Sequence, residues 1–175
     1  MLKVSKLIHP DLHLVFPIPL SKNVRTSNDL LPEFRETFIE TPYLTVHDWF
    51  DSLSAENKQP TIPTDEANDI LKKLSYTSYE GGYKIMIIWQ PEKMNASSAN
   101  KLLKILEEPP EQTLFLLVCN HPDQLLATII SRVQQIPFYK IDNEDIINGL
   151  VDEFSCQPQA AKQAALLSDG SYREA

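Results

Sequence analysis

Hydrophobic positions are densest between Lys84 and Arg132, and their spacing changes along that stretch. An apolar run, Ile85 to Trp89, is followed by Ala99, Leu102, Leu103 and Leu106 at helical spacing, ending at Glu107-Glu108-Pro109-Pro110. A second apolar run, Leu114 to Cys119, leads to a short helical segment closing on Ser131-Arg132. The order predicts strand, helix, strand, helix, with both runs too apolar to be exposed on either face. Pro109-Pro110 ends the first helix, because the ring removes a donor and restricts the preceding residue. Val133 to Phe138 predicts another strand.

Upstream, Leu12 to Phe16 is a short strand candidate among prolines. Asn28 or Asp29 predicts a helix cap, with Pro32 in the first turn and Leu31, Phe34 and Phe38 on one face. Thr45 with Asp48 has capping-box spacing ahead of Val46, Trp49, Phe50 and Leu53. From Thr64 a helix is expected, with acidic residues first, Lys72-Lys73 last and Ile70, Leu71 and Leu74 as its buried stripe. Gly81-Gly82 stops that segment before the first apolar run. The helix after it is expected over about Asn95 to Glu108, with Lys101 and Lys104 facing away.

After residue 140 the pattern becomes entirely helical. Asp142 predicts a cap for a helix carrying Ile146, Ile147, Leu150, Val151 and Phe154, and an alanine-rich helix follows from about Pro158 to Ser168. The expected organisation is an α/β core over 1–140 and the beginning of a helical domain over 141–175. Gly170 is a helix stop, and Ser171 with Glu174 forms a capping box for a new helix, which predicts a piece of a longer protein.

Composition narrows the function. Apolar residues make up 42% of the 175 residues and charged residues 23%, ordinary for a folded domain. A formal net charge of −8 disfavours a broad DNA-binding face, because phosphate neutralisation needs clustered Lys and Arg. Cys119 and Cys156 form no CxxC pair, and Cys119 reads as a buried small residue. No apolar run approaches the ~20 residues that span a bilayer. A reduced, cytoplasmic setting is expected. His9 and His13 lack cysteines or carboxylates at ligand spacing, so a metal site is not expected there. Trp49, Phe50, Phe34 and Phe38 sit at core spacing without interleaved basic residues, unlike a base-stacking platform. Glu107-Glu108 reads as a solvated helix end beside Lys104.

The runs Lys84-Ile-Met-Ile-Ile, Asn100-Lys-Leu-Leu-Lys-Ile-Leu-Glu-Glu-Pro-Pro110, Leu114-Phe-Leu-Leu-Val and Thr128-Ile-Ile-Ser-Arg132 resemble the clamp-loader branch of the AAA+ ATPases. The resemblance is closest to the delta-prime family of bacterial DNA polymerase III. It covers roughly residues 9 to 175 and is tightest from 81 to 138. It implies a three-layer P-loop NTPase-like α/β domain with a parallel sheet, followed by the start of a helical lid. Gly170 to Ala175 resembles the lid's sensor-2 region. His9-Pro10-Asp11 resembles the stretch just after the family's zinc-binding cysteines, which this sequence lacks.

The departures from the family pattern carry as much weight. Active relatives place Asp-Glu after the first apolar strand to hold magnesium and activate water; here Trp89 and Gln90 stand there, and neither performs those tasks. No GxxxxGK[ST] phosphate loop is present. The resemblance therefore implies no bound cofactor or metal and no ATP hydrolysis by this chain. It implies instead that Arg132 is an arginine finger offered to ATP on a neighbouring subunit, with Ser131 positioning its turn; the alternative is an arginine favoured near a helix C-terminus. Asn120 occupies the sensor-1 position and also suits a simple turn. Arg173 matches a sensor-2 arginine and also suits a surface or interdomain contact.

The expected role is a non-hydrolysing structural partner in loading the sliding clamp onto primed DNA. The implied partners are the gamma/tau and delta subunits, with the clamp approached indirectly and DNA contacted weakly. The rival readings are an ATP-hydrolysing gamma/tau-type subunit and an interaction module unrelated to replication. In the family sheet the strand leading into the phosphate loop lies between the strands matching Leu114–Cys119 and Val133–Phe138. Without it, either those two strands are expected to pair directly or an oligomer to cover the opened edges.

Overall fold

Three strands, β1 (Leu12–Val15), β2 (Lys84–Trp89) and β3 (Thr113–Val118), pair in parallel in the order β1-β2-β3. In register, Leu12 lies beside Ile85 and Ile85 beside Leu114. The computed structural model describes residues 2–175 and divides into two units, one ending at Gln134 and the other spanning Gln135–Ala175.

In the first unit, helices cover both faces of the sheet, which gives the expected three-layer α/β arrangement. α4 (Thr64–Ser75) and α5 (Ala96–Glu107) bury Ile70, Leu74, Leu102 and Leu106 against Val15, Met86 and Ile88. Leu71, expected in that stripe, is partly exposed at its margin. On the other face, α2 (Leu31–Glu40) and α3 (Val46–Ser52) pack around an aromatic cluster. The Phe16 and Phe34 rings stack at 3.9 Å, Trp49 meets both edge-on, and its indole N–H donates to the Pro17 carbonyl at 2.9 Å. Short helices α1 (Leu2–Ser5) and α6 (Ala127–Ile130) complete the unit, and α1 carried no sequence signal.

The caps explain several boundaries. The Thr45 hydroxyl accepts from the Asp48 amide and the Asp48 carboxylate accepts from the Thr45 amide, at 3.2 and 2.8 Å, forming the expected box. Asn95 accepts from the Ser98 amide and opens α5. The α2 region begins with a 3-10 turn over Ser27–Leu30, in which Asp29 accepts from the Arg25 and Thr26 amides. Lys84 is buried and its ammonium donates to the Leu74 and Tyr76 carbonyls, both at 2.7 Å, closing the C-terminal end of α4.

Two expectations fail. Val133–Phe138 is not a strand: it runs irregularly, Pro137 has no N–H to donate, and Phe138 is 94% exposed. The direct pairing of this segment with β3 is therefore absent. Nor is β3 buried on both faces, because Leu114, Leu116 and Val118 are exposed on a side that no helix covers among the described residues.

The second unit holds α7 (Asn143–Phe154) and α8 (Pro158–Leu167), packed through Ile146, Leu150, Ala161 and Ala165. Asp142 precedes α7 with extended backbone but makes no side-chain cap. Ser155, in the left-handed region, ends α7. Gly170, at φ +82°, lets the chain pass Lys140, where a Cβ would collide. The Ser171–Glu174 spacing forms only a turn, with the Glu174 amide 3.4 Å from the Ser171 hydroxyl.

Two buried carboxyls pin loops to this framework with opposite pH signatures. Asp11, 5% exposed, accepts from the Tyr79 and Glu80 amides at 2.6 and 3.0 Å. Burial works to raise its pKa, but those amides outweigh it and hold the carboxyl below the usual range. Glu66 accepts from the Ser27 amide at 2.5 Å and from its hydroxyl at 2.7 Å; burial outweighs both and raises its pKa. A lowered folded-state pKa stabilises above the ordinary carboxylate range and is lost as pH falls, whereas a raised one stabilises in acid and is lost as pH rises. Asp11→Asn is expected to cost about 1–2 kcal/mol at pH 7 and progressively less in acid. Urea midpoints against pH check this, and a cost independent of pH would contradict the assignment. Glu66→Gln is expected to flatten the opposite limb, the loss of stability toward neutral pH.

Candidate functional site

The carboxyl ends of β2 and β3 form the first candidate region. Trp89 leaves β2 toward the aromatic cluster, its ring 5.7 Å from that of Phe34. Gln90 follows in the left-handed region at φ +57°, nearly fully buried. Its amide donates to the Val118 carbonyl and its carbonyl accepts from the Lys93 amide, at 2.8 and 2.9 Å. An L-residue with a long side chain adopts this backbone at a cost, offset here by those two bonds and by burial. Trp89 thus packs, half-buried, against the aromatic cluster, and Gln90 is part of a tight turn.

Glu92 lies two residues on and was not singled out by its spacing. One carboxylate oxygen accepts from the Asn120 and His121 amides at 3.2 and 3.3 Å, while the other is enclosed without a hydrogen-bond partner. Glu92 therefore ties the turn after β2 to the turn after β3, and it brings Asn120 to the same end of the sheet as Trp89 and Gln90. Burial, aided by the Glu92 carboxylate, pushes the Cys119 thiol up to about 11. Such a thiol stays protonated and is a poor nucleophile. Among the described residues no three His, Cys, Asp or Glu side chains converge as a metal would require.

Arg132 is held elsewhere. Its Nε donates to Glu107 at 2.9 Å and its Nη1 to the Thr128 carbonyl at 2.9 Å, while Ser131 Oγ donates to the same carbonyl at 3.2 Å. Glu107 thus meets Arg132, where the sequence suggested a solvated end beside Lys104. Glu107 is the last residue of α5, a helix that starts after the carboxyl end of β2 and runs back toward the amino end of β3. With 12 residues at ~1.5 Å each, α5 carries Arg132's anchor ~18 Å along the sheet from the Gln90 turn. The Arg132 side chain is 29% exposed and Glu107 58%, so the pair contributes only about 0–1 kcal/mol. It orients the guanidinium and leaves it able to exchange Glu107 for a stronger anion.

Arg173 lies in the turn Ser171–Ala175 of the second unit. His9 is engaged within the first unit, where its Nε2 pairs with Glu80 at 3.1 Å and its Nδ1 accepts from the Asp11 amide. His13 is half-buried, and burial lowers its pKa.

Fold and site together define a three-layer α/β domain with a parallel sheet, in which Trp89 packs on the aromatic cluster and Gln90 makes a tight turn. Residues 2–142 match the family described as DNA polymerase III, delta subunit, and the chain belongs to that family. It is 36% identical over 123 residues to the DNA polymerase III subunit delta' of Pseudomonas aeruginosa, covering 68% of this chain and 37% of that protein. It is 34% identical over 116 residues to subunit tau of Bacillus subtilis, covering 63% of this chain and 21% of that protein. A solved gamma subunit-related protein of Thermotoga maritima superposes with a TM-score of 0.48 at 28% identity, over 65% of this chain and 38% of its own. The chain thus spans well under half the length of these relatives.

The thiol environment yields a direct check. In a Cys156→Ser background, alkylation of Cys119 is expected to lag a free peptide thiol by more than tenfold at pH 8, with its rate still rising near pH 11. A rate that levels off near pH 8–9 would contradict the raised Cys119 thiol.

Proposed function

We propose that this chain acts as a delta-prime-type subunit of the bacterial DNA polymerase III clamp loader. In this role it does not hydrolyse ATP, and it contributes structure together with one arginine that acts on a neighbouring subunit's nucleotide. Its partners are gamma/tau and delta subunits in the cytoplasm, with the sliding clamp reached indirectly and DNA contact weak and shared.

The observation that carries this reading is the separation of Arg132 from the strand carboxyl ends, where α/β sheets bind nucleotides. An arginine anchored beside Glu107, at the far end of α5, serves a nucleotide on an adjoining molecule better than one on its own sheet. Its partial exposure and weak, exchangeable ion pair fit a guanidinium that swaps a carboxylate for a γ-phosphate. Trp89, committed to the Phe34 cluster, and the buried Gln90 support the non-hydrolysing half of the proposal. Asn120 then serves the turn that Glu92 organises, and Ser131 buttresses Thr128 beneath the arginine.

The identity to Bacillus subtilis tau favours a second reading, an ATP-hydrolysing subunit. The two readings differ in whether the chain itself binds ATP. In a complex reconstituted with ATP-binding neighbours, Arg132→Ala is expected to lower turnover at the adjoining site by about 10³-fold or more, with assembly and ATP affinity little changed. Glu107→Gln, which loosens the orientation while keeping the guanidinium, is expected to lower turnover several-fold and to leave the substrate KM unchanged. Unaltered turnover in Arg132→Ala would remove the finger, and tight ATP binding by the chain alone would favour the tau-like reading.

A further inference from the structure

Glu66 and Ser27 are both fully enclosed, and an ionised Glu66 would leave them with too few hydrogens for the acceptors around them. The Ser27 amide donates to Glu66 Oε2 at 2.5 Å. The Ser27 hydroxyl lies 2.7 Å from Glu66 Oε1 and 3.2 Å from the Leu14 carbonyl. That carbonyl is on the outer side of β1. The Ile85 amide donates to the Asp11 carbonyl, so Asp11, His13 and Val15 turn their backbone groups toward β2 and Leu14 turns its own away.

A serine hydroxyl carries one hydrogen. With Glu66 ionised, three acceptors therefore share two hydrogens, and either Oε1 or the Leu14 carbonyl goes without. A third hydrogen, on Oε1, completes the set. Glu66 then donates to Ser27 Oγ, Ser27 donates to the Leu14 carbonyl, and Oε2 still accepts from the Ser27 amide.

We propose that Glu66 is a neutral carboxylic acid at neutral pH, and that its proton latches the segment Arg25–Leu30 onto α4 and the outer edge of β1. The surrounding charges leave Glu66 without a counter-ion. Arg25 pairs with Asp65 at 2.7 Å, and Lys73 engages Asp69 and the Asn28 side chain, both at 2.8 Å. Asp29 accepts from the Arg25 and Thr26 amides, and burial disfavours the cationic form of His13 on β1. Glu66 lies in the first turn of α4, where the helix dipole favours an anion, but that effect is modest against full desolvation. Burial accordingly raises its pKa in spite of the two Ser27 bonds.

The latch governs more than one contact. Ser27 opens the 3-10 turn Ser27–Leu30, which runs directly into α2 and its Phe34. When the segment lifts, Glu66 meets water and ionises as an exposed glutamate does. The latch is therefore complete below the ordinary carboxylate range and weakens as pH rises, by up to about tenfold per pH unit for one proton. It lies wholly within the first unit and is independent of the clamp-loader reading.

NMR on the chain isotope-labelled at the glutamate carboxyl carbons tests the protonation state, with Glu66 assigned by the signal lost in Glu66→Gln. Its carboxyl is expected to stay protonated through neutral pH while the exposed glutamates titrate in their ordinary range. Titration of Glu66 alongside them would overturn the proposal. Glu66→Gln supplies the same donor and acceptor without titrating, so it is expected to fold and to hold the segment at every pH. A Glu66→Gln chain that fails to fold would contradict the relay, because an amide replaces the neutral acid but not the anion. Trypsin cleavage after Arg25, in the wild-type chain relative to Glu66→Gln, is expected to rise between about pH 6 and 8, by no more than about tenfold per unit. A ratio unchanged across that range would remove the latch.

Discussion

Parallel pairing of β2 with a strand on each side is the constraint from which the first unit is built. β2 is hydrogen-bonded along both edges and packed on both faces, so its alternating residues each choose a layer. Met86 and Ile88 choose the core under α4 and α5, and Ile87 and Trp89 choose the aromatic layer under α2 and α3. The buried polar groups around it then hold loops to this frame: Lys84 closes α4, Asp11 gathers the Tyr79-Glu80 turn, and Glu66 secures Ser27. β3 shares only one edge of this arrangement. Among the described residues β1 is likewise paired along one edge only, and β3 is the edge strand that carries exposed Leu114, Leu116 and Val118.

The same constraint separates two chemistries that the sequence presents side by side. At the carboxyl ends of β2 and β3, a half-buried tryptophan packs on the aromatic cluster, a left-handed glutamine makes a tight turn, and Glu92 bridges two turns. The remaining guanidinium of interest lies at the other end of α5. There it is held firmly enough to have a direction and weakly enough to exchange its partner.

Much of this was legible in the residues. Strand–helix alternation, the Thr45 cap, the α4 dipole pattern and the end of α5 before Pro109-Pro110 all rest on local rules, and local rules suffice for them. What escaped depended on distant partners. Val133–Phe138 has the composition of a strand, but a strand needs a partner, and among the described residues none pairs with it. Leu114, Leu116 and Val118 read as buried because a continuous apolar run does not reveal which face lacks a helix. Glu92 gave no signal and the Arg132 partner of Glu107 was not legible, since their contacts reach residues 28 and 25 positions away. Asp142 has the right identity for a cap, yet identity does not fix the rotamer that would make the bond.

The claim that Arg132 supplies its guanidinium to a neighbouring nucleotide is tested most directly by chemical rescue. In the assembled complex carrying Arg132→Ala, added guanidinium is expected to restore part of the lost ATP turnover, saturably and at unchanged ATP affinity, while an ammonium salt of equal ionic strength restores none. Turnover that is undiminished by Arg132→Ala, or a loss that guanidinium and ammonium affect alike, would contradict it.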